Sequence, residues 1–74
     1  MSVDEYSWVV ASDVDRRDGI GLEVYRSGRL VMEIFRDDAA RTRTVTFFGE
    51  PLPLEVVEAS IRRFREEIPW EFVE

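Results

Sequence analysis

The chain of 74 residues carries 16 acidic and 10 basic side chains, which gives a formal net charge of −6. Its length predicts one small domain, and its apolar fraction of 45% is typical of a folded chain rather than a disordered one. Because cysteine and histidine are absent, the chain has no disulfide, no thiolate or histidine metal site, and no catalytic centre that needs a histidine base.

Three strand-like stretches come first. Residues 6–11 are rich in aromatic and β-branched side chains, which predicts the first strand. Residues 20–25 and 29–36 alternate between two faces. A three-residue loop, Arg26-Ser27-Gly28, puts all the aliphatic side chains on one face, with Leu22 opposite Met32 and Ile20 opposite Ile34. A two-residue Ser27-Gly28 loop would shift the register by one residue and mix the faces, so the three-residue loop is preferred.

The second half of the chain predicts one more strand and a helix. Residues 42–48 are β-branched and predict a fourth strand, in which Val45 and Phe47 lie beside Met32 and Leu30. A helix is expected over 53–68, between Pro53 at its first position and Pro69 after its end. Its apolar stripe is Leu54, Val57, Ile61, Phe64 and Ile68. The tail, residues 69–74, is too aromatic to be a free end.

Four strands followed by one helix predict a single two-layer α+β domain over residues 1–74. Short connections favour a four-stranded antiparallel meander, ββββα, with the C-terminal helix on the aliphatic face. The other face is then left open. The side chains that it carries are Glu23, Tyr25, Arg29, Val31, Glu33, Phe35, Thr44, Thr46 and Phe48.

The open sheet face is the candidate interaction surface, because Tyr25, Val31, Phe35 and Phe48 could form one apolar patch there. Three alternatives stay open: the C-terminal tail covers the patch, a second copy of the chain packs on it, or a different protein does. The candidate interface residues are Tyr25, Arg29, Val31, Phe35 and Phe48, together with Trp70 and Phe72 of the tail.

Two functional hypotheses follow from the surface and the charge. The first is a non-enzymatic module that interacts with proteins, as a homodimer in the simplest case. The second is an acidic inhibitor or immunity-type protein that docks on a basic partner such as a nuclease, steered by the acidic residues within 50–74. An enzyme ranks below both, because it would need carboxylate chemistry in a groove that the sequence does not indicate.

Other ligands are not indicated by the sequence. Glu23, Glu33 and the net charge disfavour nucleic acid, although exposed aromatics on a sheet can stack bases. Residues 13–19 depart from the calcium-loop pattern, and Arg26 with Arg29 is typical of solvated charge beside a turn. We therefore expect no catalytic residues, metal, cofactor or small-molecule ligand. Without a membrane-span or signal-peptide pattern, we expect a cytoplasmic protein.

Overall fold

The computed structural model describes residues 5–13 and 17–74. Four strands form one antiparallel sheet in chain order: β1 (Tyr6–Asp13), β2 (Gly19–Arg26), β3 (Arg29–Asp37) and β4 (Thr42–Phe47). The helix α1 (Leu54–Glu67) follows and packs on one face of the sheet. The predicted α+β architecture, an antiparallel meander with a C-terminal helix, is confirmed.

The turn between β2 and β3 differs from the prediction. Arg26 pairs directly with Arg29, so the loop contains only Ser27 and Gly28. Both loop residues have positive φ angles, 52° and 79°, as a type I′ turn requires. The expected three-residue loop is therefore wrong, because the tighter turn matches the twist of the two strands.

A β-bulge restores the alternation that this two-residue turn would otherwise disrupt. Tyr25 pairs with Leu30 and Val24 pairs with Met32, so Val31 is the extra residue on β3. Val31 is 3% exposed and belongs to the core, whereas Leu30 stands opposite Tyr25. The expected positions of Val31 on the open face and Leu30 in the core are therefore exchanged.

Beyond the bulge, the strands pair two residues away from the expected register, and the aliphatic side chains still share one face. Leu22 lies opposite Ile34 rather than Met32, and Ile20 lies opposite Arg36 rather than Ile34. On β4, Val45 lies opposite Ile34 and Phe47 opposite Met32. Each pairing partner differs from the expected one by two residues. Because side chains alternate between the faces with a period of two, such a shift leaves every side chain on its original face of the sheet.

The core lies between α1 and this sheet face. Its buried members are Tyr6, Leu22, Val24, Val31, Met32, Ile34, Val56, Phe64 and Ile68. The helix uses a stripe of Val56, Ser60 and Phe64 for this contact. The predicted stripe is therefore right at Phe64 and Ile68 and wrong at Leu54 and Ile61, which are 68% and 44% exposed.

A polar contact explains the orientation of the helix. The buried hydroxyl of Ser60 donates to the Val56 carbonyl oxygen at 2.7 Å and accepts from the Trp8 indole Nε1 at 2.9 Å. Burying this hydroxyl without partners would be costly, so the hydrogen bonds fix Ser60 toward β1. As a result α1 lies over β1, β2 and β3 and leaves the same face of β4 largely uncovered.

Candidate interaction surfaces

Around Phe35, the open sheet face is covered by a side chain that the sequence did not indicate. Arg17 donates from Nη1 and Nη2 to the two carboxylate oxygens of Glu33, at 2.8 and 3.0 Å. Its Nε donates to Asp13 at 3.2 Å, and its guanidinium carbon lies 3.8 Å from the centre of the Phe35 ring. These carboxylates raise the pKa of Arg17, the Glu33 hydrogen bonds most of all. The expected apolar patch is therefore replaced around Phe35 by a charged side chain that is hydrogen-bonded to Glu33 and Asp13.

Phe35 is buried beneath this cover. It is 2% exposed and lies opposite Gly21, where a Cβ atom would come within 2.8 Å of the ring. At Gly19 a Cβ atom would overlap the carbonyl oxygen of Arg36. The two glycines of β2 thus provide the space into which β3 and its aromatic ring pack.

The expectation of one exposed patch formed by Tyr25, Val31, Phe35 and Phe48 is therefore wrong. Val31 and Phe35 are buried, and Tyr25 is half-buried with its hydroxyl donating to Glu23 at 2.8 Å. That hydrogen bond raises the pKa of the Tyr25 phenol. Phe48 is exposed, but it lines a small recess with the exposed Arg29 at the β2–β3 turn.

The C-terminal tail packs beside β4, on the side of the sheet that carries α1. The Arg43 guanidinium lies 4.0 Å from the Trp70 ring and 4.1 Å from the Phe72 ring, and it donates twice to the Trp70 carbonyl oxygen at 2.8 and 3.0 Å. Arg65 of α1 lies 4.4 Å from the Trp70 ring. The tail is held in place, as expected of an aromatic segment, but these contacts do not lie on the open sheet face.

A buried ion pair anchors the tail backbone. Arg36 donates twice to Asp38, at 2.9 and 3.2 Å, and once to the Pro69 carbonyl oxygen at 2.6 Å. Asp38 also accepts the Val73 backbone N–H at 3.0 Å. The Val73 N–H and then the Arg36 guanidinium hold the pKa of Asp38 below its usual range. The tail is thus part of the fold.

An exposed apolar surface, the α1–β4 surface, lies between α1 and β4. Its members are large apolar side chains between 42% and 68% exposed: Val45, Phe47, Leu54, Ile61 and Trp70. Val45, Ile61 and Trp70 line a groove of about 190 Å³. The surface exists because the helix turns toward β1, leaving apolar side chains of both α1 and β4 without cover.

The β4 strand is also an edge of the sheet. Phe48 donates its backbone N–H to Val31 of β3 at 3.0 Å. Since backbone groups point alternately to the two sides of a strand, the N–H and C=O groups of Arg43, Val45 and Phe47 point away from β3. An edge strand with free backbone groups and no proline can receive another strand.

Charge varies along the α1–β4 surface. Leu54, Glu58, Ile61 and Arg65 follow one another at steps of four, three and four, so they lie in one row on the helix. Arg65 is next to Arg43 at the end of the groove occupied by Trp70. Glu58 lies one turn or more toward the other end of α1, so the surface runs from a basic end to an acidic one.

No protein-family model, characterised protein or solved structure matches this chain. Within residues 5–13 and 17–74, no group of three or more acidic side chains could hold a metal ion, and no helix is long and apolar enough to cross a membrane. Part of the calcium-like stretch at residues 13–19 lies outside the described residues.

Of the predicted interface residues, Trp70 belongs to the exposed apolar surface and Phe72 lies close beside it, stacked on Arg43. Sequence reasoning missed Val45, Phe47, Leu54 and Ile61 because it assigned all four to the core. A signal was present, since the helix carries more apolar positions than one stripe needs: Val56 lies outside the predicted stripe.

Proposed function

We propose that this protein is a non-enzymatic interaction module that forms a homodimer through the α1–β4 surface. The observation that carries the proposal is the row of exposed apolar side chains beside the free edge of β4. A large contiguous apolar surface is rare on a small soluble monomer, and where one occurs it is commonly an interaction site. The location differs from the open sheet face, since Arg17 and Glu33 occupy that face with charge.

A second copy is the occupant that the structure favours. A chain of 74 residues buries only a small apolar core. If two copies pair through their exposed apolar surfaces, each copy buries additional apolar area and gains stability. A two-fold axis brings the same surface from each copy together, so one apolar row suffices for both partners. Docking on a basic protein gains less support, because the exposed face of α1 interleaves Arg62 and Arg63 with its acidic side chains.

Light scattering after size-exclusion chromatography, at a low and a high micromolar concentration, tests the proposal. We expect a mass of twice 8.7 kDa at the high concentration. Phe47→Thr removes an exposed ring and puts a residue of high β propensity in its place on β4, so it should give a folded monomer. The matched control is Val10→Thr, on the opposite edge strand, which should stay dimeric.

Two results would overturn this assignment. A monomeric mass at every concentration would exclude the homodimer. A dimer that survives Phe47→Thr but is lost in Val9→Thr would move the contact to the β1 edge, where Val9 is exposed and pairs with Glu23. Circular dichroism of each variant shows whether the fold is retained.

A further inference from the structure

We infer that the two copies join β4 to β4 as antiparallel neighbours, with Val45 opposite the partner's Val45, so that one sheet of eight strands runs through the dimer. This inference rests on the proposed homodimer and specifies how the α1–β4 surface is used. It follows from three features of the surface: the direction of the free backbone groups, the face of each side chain, and the order of the charges.

The backbone of β4 limits the possible registers. Arg43, Val45 and Phe47 present their N–H and C=O groups to the outside, while the residues between them bond to β3. In an antiparallel pair, outward-pointing residues must stand opposite outward-pointing residues to exchange hydrogen bonds. Only the register with Val45 at the two-fold axis gives each of these three residues an outward-pointing partner. In that register Val45 stands opposite the partner's Val45, Arg43 opposite the partner's Phe47, and Phe47 opposite the partner's Arg43.

The same register keeps the apolar side chains on one face. Arg43, Val45 and Phe47 all project to the side of the sheet that carries α1, as their partners Arg36, Ile34 and Met32 do. Residues opposite one another in antiparallel strands share a face, so both helices lie on the same side of the joined sheet. The two Val45 side chains meet at the axis, and each Phe47 stands opposite the partner's Arg43, whose guanidinium stays stacked on Trp70 and Phe72 of its own chain.

The charges on α1 agree with this arrangement. A two-fold axis at Val45 reverses the direction of one helix relative to the other. Across the two β4 strands, the basic end of one surface, with Arg65, then faces the acidic end of the partner's surface, with Glu58. Opposite charges at both ends of the contact favour this orientation and disfavour a parallel one, which would put like charges together.

The other edge strand fits self-pairing less well. β1 has a carboxylate at each end, Glu5 before it and Asp13 at its last residue. Asp13 pairs with Arg17 at 3.2 Å and Glu5 with Arg26 at 3.6 Å. Antiparallel pairing of β1 with a second β1 would therefore place these ion pairs, and not apolar side chains, at both ends of the contact. β4 has no such conflict.

The absence of cysteine from the chain allows a direct test with single-cysteine variants of the full chain. Val45→Cys places two thiols across the axis at a Cα–Cα distance of about 5.5 Å, which a disulfide can span. Under mild oxidation we expect Val45→Cys to form a covalent dimer on a non-reducing gel. Thr44→Cys is the matched control on the same strand. Its two thiols stand diagonally, about 8 Å apart, beyond the usual range of a disulfide.

A charge-reversal pair supplies a second readout that needs no disulfide. Glu58→Arg and Arg65→Glu should each weaken dimerisation about threefold at low salt, because each replaces two long-range attractions across the contact by two repulsions. The double variant should restore most of the affinity. Sedimentation equilibrium at low and high salt measures all four proteins.

The outcomes separate the inference from the proposed function. A dimer in which Thr44→Cys cross-links as fast as Val45→Cys would overturn the register and leave the homodimer standing. A dimer in which Val10→Cys cross-links and Val45→Cys does not would assign the contact to β1. A monomeric mass for the unmodified chain at every concentration would overturn the proposed function and the inference together.

Discussion

Removing the charge of Arg17 tests whether this side chain closes the open sheet face. Arg17→Met keeps the unbranched aliphatic stem over the Phe35 ring but removes every donor to Glu33. The Glu33 side chain is 10% exposed, so its carboxylate would keep little of the solvation that it has in the unfolded chain. The substitution should therefore destabilise the fold even though Arg17 lies at the surface.

The size of the effect follows from the two contacts with Glu33. A hydrogen bond to a charged group contributes about 1.5–3 kcal/mol when it is well shielded from solvent. The Arg17 side chain is 40% exposed, and solvent screening reduces what an exposed ion pair contributes. We expect the free energy of unfolding to fall by about 1.5 kcal/mol, which lowers the Tm of a domain of this size by about 6–12 °C.

Urea unfolding followed by circular dichroism measures the loss, and a double-mutant cycle with Glu33→Gln isolates the pair. The control is Arg29→Met, an exposed arginine for which we expect a change within about 0.5 kcal/mol. If Arg17→Met changes stability no more than this control, or if the two substitutions in the cycle are additive, the ion pair does not close the face. The dimer mass should be unchanged in Arg17→Met, since the α1–β4 surface is not altered.

Three further predictions concern the turn, the buried hydroxyl and the tail. Ser60→Ala should cost about 1–3 kcal/mol in urea unfolding, because the Trp8 indole N–H loses its acceptor; an unchanged midpoint would contradict the role given to this contact. Ser27→Asn should raise the Tm by the equivalent of several tenths of a kcal/mol, because asparagine tolerates the positive φ of this turn, and a lower Tm would speak against the type I′ geometry. The hydrogen bond from the Val73 N–H is the main cause of the lowered pKa of Asp38. The folded state therefore gains stability from the ionised carboxylate at pH values above the unfolded pKa of about 3.9, and it loses this stability as the pH falls through the folded pKa. Unfolding measured across that acidic range should therefore show a smaller loss of stability for Asp38→Asn than for the unmodified chain, and parallel curves would refute the assignment.

The architecture was predictable because local patterns determine it. Strand alternation, the turn residues and the two prolines around α1 each act over a few neighbouring residues, and together they define four strands and a helix. The register was not predictable by the same reasoning. A two-residue turn in a regular hairpin would mix the faces, but the bulge at Val31 adds one residue to β3 and restores the alternation.

The open-face hypothesis failed because it depended on a contact between residues far apart in sequence. Arg17 belongs to a polar connection that predicts only a loop, and nothing local indicates that it folds back over Phe35. One pattern did carry information. Gly21 lies in the middle of a strand, and an aromatic side chain on the neighbouring strand often covers such a glycine. Phe35 does so here, and that packing removes it from the exposed surface.

The helix shows why the exposed apolar surface was misassigned to the core. Two stripes of α1 share Phe64 but diverge toward its N-terminus, one through Val56 and Ser60 and the other through Leu54 and Ile61. Hydrophobicity alone favours the second stripe, since serine contributes nothing apolar. The structure buries the first, because the Ser60 hydroxyl has an acceptor in α1 and a donor in Trp8. An apolar arc this wide cannot be covered by three strands, so its remaining side chains face outward beside β4. A helix with more apolar positions than its own sheet can bury therefore points to a second packing partner, and in this chain the free strand edge lies directly beside the side chains that need one.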